Sequence, residues 1–287
     1  VSYLDRIRTC NNADLKDFIP LRVTGRGVGW VRKGFAEYLR AWPAVFRVSA
    51  PAVDLHPDLD SFSERTEAVA QVTDALVEQG VIDRRHGELY PVTPGGRDAA
   101  VFLLDRASAP YFGIRAFGQH MNGFVRDADG LKMWVARRAR NKINFPYKLD
   151  NMVAGGLPHG IGFEQNLIKE CWEEATIPAD LARRAIPVGM ISYCAETRRG
   201  LKPDIQYCYD LELPADFVPQ RNDDEVEEFH LWPLEKVAQL VSESTEFKMN
   251  CDLVIIHFLL RHGYITPEHP DYLHLGAGLY RWAGFEP

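Results

Sequence analysis

What this chain has little of narrows its function before any motif is read. Cysteine is sparse: Cys10, Cys171, Cys194, Cys208 and Cys251 are scattered over 287 residues with no C-x-x-C pair. That argues against a disulfide scaffold or a zinc ribbon and for reduced thiols in a cytoplasmic protein. No long apolar run and no basic-apolar-small leader is present, so neither a membrane span nor secretion is expected. Internal repeats and low-complexity tracts are missing, as are the G-x-S-x-G elbow, H-E-x-x-H and the P-loop. The nine histidines show no metal-ligand spacing. Positive charge is also short, with a net −7, which argues against a nucleic-acid partner.

What is present describes an ordinary globular chain. Hydrophobic residues make up 46% and charged residues 25%, enough for a core of normal size. The fold class expected is α+β, with a smaller mixed domain over 1–110 and a second domain over 111–287. In the first, 34–42 reads as a short helix. Residues 63–80 read as a longer one, capped by Ser63, with Ala68, Val69, Val72, Ala75 and Leu76 as its apolar stripe and Gly80 at its end. Residues 81–92 alternate around His86-Gly87 like a hairpin, and 95–106 read as a helix. "GRGVGW" lacks the strand-to-helix context of a dinucleotide fold. In the second domain, strands 116–127 and 131–139 flank Asp129-Gly130, a strong turn signal. Residues 149–156 form a strand ending in paired glycines, 164–177 a helix, 187–196 with 204–213 a hairpin, and 226–232 a strand. Helices at 233–242 and 249–263 close the chain.

The segment "LIKECWEEATI" carries the chemistry. Leu167, Ile168, Cys171, Trp172 and Ala175 make one apolar face of a helix. Glu170, Glu173 and Glu174 recur at i, i+3 and i+4, where like charges repel by a few tenths of a kcal/mol (roughly) per pair. A solvated acidic face is the ordinary explanation of such a triplet. A hard divalent cation is the other, because Mg²⁺ takes oxygen ligands from a few carboxylates together with substrate phosphates. Gly155-Gly156 at the preceding strand end, where backbone can approach a metal or phosphate closely, favours the second.

The whole stretch "GGLPHGIGFEQNLIKECWEEATI" resembles the Nudix box, G-x5-E-x7-R-E-U-x-E-E-x-G-U with U a bulky apolar residue. The strong end falls on Lys169, Glu170, Cys171, Glu173, Glu174 and Ile177. The pattern departs at Ile161, where a glutamate is usual, at Lys169 for Arg and at Thr176 for Gly. Further stretches, among them "RRARNKINFPYKLDNMVAGG", "FKMNCDLVIIHFLLRHG" and "FIPLRVTGRGVGWV", are similar to the Nudix subgroup related to the N-terminal region of fungal thiamine-pyrophosphokinase proteins. The resemblance implies an α/β/α Nudix sandwich behind a smaller domain. It also implies Mg²⁺- or Mn²⁺-dependent hydrolysis of a small diphosphate, such as damaged thiamine diphosphate analogues or 8-oxo-dGDP.

By that resemblance Glu170, Glu173, Glu174 and the carbonyl of Gly155 are metal ligands. Glu173 and Glu174 are catalytic candidates, and so are Glu225 and Glu227 from a later loop. Alternation in "EVEEFHLW" would send Glu225 and Glu227 to one face and Glu228 to the other. Arg138, Lys142 and Lys148, from the most basic local run, are expected to meet phosphates. Asn122, Gly156, Tyr193 and Gln206 are expected to border the rest of the substrate. A homodimer is a further expectation. The competing class is a non-catalytic Nudix-like sensor whose residues 63–92 form a DNA-binding winged helix.

Overall fold

Ser2 opens the first helix with a capping box: its hydroxyl accepts from the Asp5 N–H while the Asp5 carboxylate accepts from the Ser2 N–H. In the computed structural model, which describes residues 1–222 and 224–281, this α1 (Tyr3–Cys10) buries Ile7 and Cys10 against helices near the far end of the chain. A four-stranded sheet follows, of β1 (Phe18–Val23), β2 (Arg26–Arg32), β3 (Phe46–Val48) and β4 (Val53–Leu55), in the order β2-β1-β4-β3, with α2 (Lys33–Leu39) between β2 and β3. "GRGVGW" lies in the β1–β2 hairpin. Gly29 there meets the Phe112 carbonyl so closely that a Cβ would collide with it.

The helix expected over 63–80 is α3 (Phe62–Glu78), and Val69, Val72 and Leu76 of the expected stripe are buried. Its cap is Ser61 rather than Ser63, because Ser61 makes the reciprocal box with Glu64. Two expectations fail next. Residues 81–92 form no hairpin: the Asp105 carboxylate accepts from the N–H groups of His86 and Gly87, at 2.8 to 3.0 Å, and holds that loop from outside. Nor is 95–106 a helix. β5 (Leu89–Val92) pairs with β6 (Phe102–Asp105), whose Phe102 and Leu104 alternate inward with a period of two. The expected winged helix therefore loses its wing. α4 (Ala109–Phe112) ends on Gly113 in the left-handed region.

The second half is built on a seven-stranded mixed sheet. β7 (Phe117–Asp127) and β8 (Gly130–Arg138) form the expected hairpin, closed at Asp127↔Gly130. The strand expected over 149–156 is divided: β9 (Leu149–Asn151) pairs with β8, and β10 (Val153–Gly156) pairs with β7. After α5 (Phe163–Ala175) and α6 (Ala179–Ala182) comes the second expected hairpin, β11 (Ile186–Thr197) and β12 (Gly200–Glu212). β12 runs parallel to β7, and β13 (Val226–Pro233) closes the order β11-β12-β7-β8-β13. α7 (Leu234–Glu243), α8 (Met249–Arg261) and α9 (Tyr272–Gly278) end the described chain.

Apolar side chains cover both faces of this sheet. Leu167, Cys171 and Ala175 of α5 pack with Met121, Val125 and Val153 on one face. Leu253, Ile256 and Phe258 of α8 pack with Phe124, Val135 and Ile191 on the other. The result is the expected α/β/α sandwich behind a separate mixed N-terminal domain, with α1 returning to the α8 side. No described helix is long and apolar enough to cross a membrane.

Candidate active site

The three glutamates of α5 do not share one environment. Leu167, Cys171 and Glu174 follow one another at i, i+4 and i+7, so Glu174 lies in the buried stripe and only 7% of it is exposed. Trp172, expected in the apolar face, is instead 51% exposed. Glu174 accepts from the Ala154 N–H at 2.9 Å and so holds β10 to the helix. Burial pushes its carboxyl well above the ordinary range, and the neighbouring charge of Glu170 adds to this. Glu170 lies over Gly155, where a Cβ would overlap its carboxylate. Burial raises Glu170 too, and Lys169 at 3.3 Å only partly offsets it. Glu173 is the outer member, held by Lys169 at 2.7 Å across one turn. Lys169 thus bridges two of the three glutamates. Thr176, where the box pattern has Gly, adopts a left-handed conformation (φ 51°) and ends the helix.

Of the later acidic run, Glu225 bears on Glu170 and Glu174 through its charge. Burial works against its own ionisation, but Lys142, at 2.7 Å, outweighs that and keeps its carboxyl low. The alternation expected across 225–228 is broken: the register shifts between Val226 and Glu228, which makes Glu227 the extra residue of a bulge. Glu227 faces Arg140 at 3.8 Å, and Glu228 faces His230 at 3.3 Å.

The cations expected at phosphates part company. Lys142 stays beside Glu225. Arg138 spends its guanidinium on Asp150 at 2.8 Å and on the carbonyls of Asn144 and Phe145. Lys148 reaches the Thr245 carbonyl at 2.5 Å. Asn122 and Tyr193 are buried on the α8 face of the sheet, away from α5, whereas Gln206 is buried near the Gly156 end of β10. Tyr193 packs in the core and donates to Asp204 at 2.9 Å. Asn122 is held between Asn151 and Asp210. Gln206 lies against Gly118, which has no side chain to displace it. Gly156 keeps its place beside Gly155, and its carbonyl accepts from Asn166 at 3.0 Å.

A second group of possible ligands was not visible in the sequence. His120, Asp150 and Cys251 are buried with ligand atoms within 4.8 Å of one another. Their partners show a polar network already balanced by protein cations. Asp150 accepts from Lys248 and Arg138, both at 2.8 Å, and from the Cys251 thiol at 2.7 Å. Burial works against the Asp150 charge, yet Lys248 and then Arg138 hold its carboxyl low, while burial pushes the Cys251 thiol well up. A divalent cation here would face two half-buried positive charges and a protonated thiol, so this donor set does not suit one.

His120 in that network donates from Nδ1 to Asn151 Oδ1 at 2.8 Å, and its Nε2 accepts from Asn250 at 3.2 Å. Burial, with the charge of Lys248 behind it, pushes its pKa down to about 4. The unfolded imidazole titrates near 6.5. Between those values only the unfolded state binds the proton, so His120 withdraws stability as pH falls through this window, at most about 1.4 kcal/mol per pH unit. The expected result is a stability gap between wild type and His120→Gln that narrows from pH 6.5 to 4, read from urea midpoints. A constant gap would place the folded pKa near its ordinary value.

The sequence itself decides the family. A model described as "NUDIX domain" matches residues 117–251, and one described as "Domain of unknown function (DUF4743)" matches residues 2–116. Nudix hydrolase 24, chloroplastic, of Arabidopsis thaliana is 46% identical over 278 residues, covering 95% of this chain and 76% of that protein. The chain belongs to the Nudix hydrolase family. Nudix hydrolase 20, chloroplastic, of the same plant is 45% identical over 285 residues with the same coverage. Among solved structures, the NUDIX domain of Shewanella oneidensis NrtR complexed with ADP ribose is 16% identical and has a TM-score of 0.42, covering 53% of this chain and 90% of that one.

A Nudix hydrolase calls for a divalent cation, and the α5 donors fit one. Glu170 and Glu174 are two adjacent carboxylates whose ionisation burial opposes, beside a glycine with no side chain in the way. Oxygen donors of this kind suit Mg²⁺ or Mn²⁺.

Proposed function

We propose that this Nudix hydrolase cleaves a diphosphate linkage in a small organic or nucleoside diphosphate at the edge of β10. The observation that carries the reading is the pair of carboxylates at β10: Glu170, half-buried over Gly155, and Glu174, buried on the Ala154 N–H. Glu170, Glu173, Glu174 and the Gly155 carbonyl would hold Mg²⁺ or Mn²⁺, which when bound neutralises phosphate charge and activates water. Glu174 keeps β10 and α5 in register, and Lys169 orients Glu170 and Glu173. Glu225 is the later-loop carboxylate we favour over Glu227 for handling the proton of the attacking water, because its charge bears on both inner glutamates. Lys142 would meet a phosphate.

Damaged thiamine diphosphate analogues and 8-oxo-dGDP are the substrates we put forward, on the resemblance to the thiamine-pyrophosphokinase-related subgroup. Five buried free cysteines suit a reducing compartment, whether cytoplasm or plastid stroma. The two plant relatives are named chloroplastic. The test is release of phosphate or monophosphate from thiamine diphosphate, its oxidised analogues, 8-oxo-dGDP, ADP-ribose and NADH, with and without Mg²⁺ or Mn²⁺. Metal-dependent turnover supports the reading, and the preferred compound names the substrate. Absence of both turnover and metal binding would leave the glutamates a structural role only, with Glu174 tying α5 to β10.

A further inference from the structure

The paired glycines of β10 look in two directions. Gly155 admits the Glu170 carboxylate, and Gly156 admits a pair of side chains from the N-terminal domain: a Cβ on Gly156 would meet the Tyr90 hydroxyl and the Arg106 guanidinium, with Cζ and Nη1 of Arg106 both at 3.0 Å. Side chains of successive strand residues point to opposite faces, so the α5 glutamates and Arg106 flank the same short piece of backbone.

Arg106 follows directly after β6, and Tyr90 lies on its partner β5. The guanidinium is 5.6 Å from the Tyr90 ring centroid and donates from Nη1 to Glu88 at 2.7 Å. Among the described residues that is its one side-chain hydrogen bond, which leaves donors to spare on a half-buried group. The β5–β6 pair is also fastened to the loop of the box. The His159 N–H donates to the Leu89 carbonyl at 2.8 Å, and Arg97 donates to the carbonyls of Pro158 and Ile161 at 2.5 and 2.7 Å. Arg106 is therefore held in place beside the Gly156 end of β10. Its charge is felt by Glu225, and it feels that of Glu170.

We propose that Arg106, seated on Tyr90, binds a phosphate of the substrate, so that the N-terminal domain supplies a binding residue to the hydrolase site. This rests on the reading of α5 as the metal-binding helix. A planar guanidinium matches two phosphate oxygens at once, which a lysine does not. The N-terminal domain is thereby part of the enzyme's recognition surface, and the site is incomplete without it. The bland reading is an ion pair with Glu88 that merely ties β5 to β6.

Three full-length variants separate the two: Arg106→Ala, Arg106→Lys and Glu88→Gln. Each is assayed for KM and kcat on the preferred diphosphate, for Mn²⁺ binding without substrate, and for thermal stability. The expected result is a KM raised roughly 10- to 100-fold in Arg106→Ala, a smaller change in kcat, and Mn²⁺ binding as in wild type. Arg106→Lys should fall between, and Glu88→Gln should keep KM within about twofold. Equal KM shifts in Arg106→Ala and Glu88→Gln would overturn the proposal, and so would no shift in either. If wild type binds Mn²⁺ but turns over nothing, inorganic pyrophosphate binding to the Mn²⁺-loaded protein takes the place of KM. Weaker binding in Arg106→Ala then supports the role, and equal binding overturns it. A wild type that binds no metal at all ends the α5 reading and this proposal with it.

Discussion

Glu174→Gln is expected to lower turnover about 1000-fold, on the order of 4 kcal/mol of transition-state stabilisation, in a protein that folds as well as wild type. The amide keeps the volume of the side chain and an oxygen that can accept from Ala154, at 2.9 Å in the native protein. What it loses is the negative charge that a cation would need. Burial already opposes that charge in the folded protein, so the neutral side chain should leave the melting temperature unchanged or raise it. The measurement is kcat at saturating Mg²⁺ beside a thermal melt of the same sample. Retention of more than a tenth of the turnover would take Glu174 out of the catalytic group. A collapse of the melt would mean that its bond to β10 matters more than its charge.

Asp150→Ala is expected to do the opposite: a large loss of stability from a residue outside the proposed chemistry. Asp150 is 4% exposed and is the shared acceptor of Lys248, Arg138 and Cys251. Removing it takes their shared carboxylate from Lys248 and Arg138, both half-buried, and breaking a buried pair in this way costs about 3–5 kcal/mol. The same carboxyl is held below its ordinary value, so its contribution is present above the unfolded pKa near 3.9 and fades as pH falls below it. Urea unfolding at pH 7 checks the first statement, and a shift below about 1 kcal/mol would refute it. Zn²⁺ titration of wild type and Cys251→Ser checks that this network is not a cation site: no tight site should be found that the variant lacks.

How far the site could be read in advance depended on whether its residues were close in the chain. The glutamate helix was legible because i, i+3 and i+4 positions must be neighbours whatever surrounds them. Gly155-Gly156 was legible because close backbone approach needs a missing side chain. Which glutamate is buried was not, since that depends on how far α5 rotates against β10. Glu225 and Glu227 looked alike because a bulge cannot be seen in alternation alone. Asn122 and Tyr193 lie on strands of the right sheet, but the face they occupy there carries α8, while Gln206 lies by Gly118, the partner of Gly156. Arg106 gave no signal at all. It ended a run read as a helix, and its meeting with Gly156 joins residues 50 positions apart.

The same division holds for the fold. By itself the sequence determined the elements whose causes are local: the Asp129-Gly130 hairpin, the stripe of Val69, Val72 and Leu76, the acidic helix, and the Nudix family itself. Only the tertiary structure decided that "FLLD" is a strand, because its choice between periods depends on a partner, β5, that pairing supplies. It alone returned α1 to the α8 side, and it alone gathered His120, Asp150, Lys248 and Cys251 into one network. Long-range pairing and the balance of buried charge come from groups distant in the chain, and no local pattern encodes them.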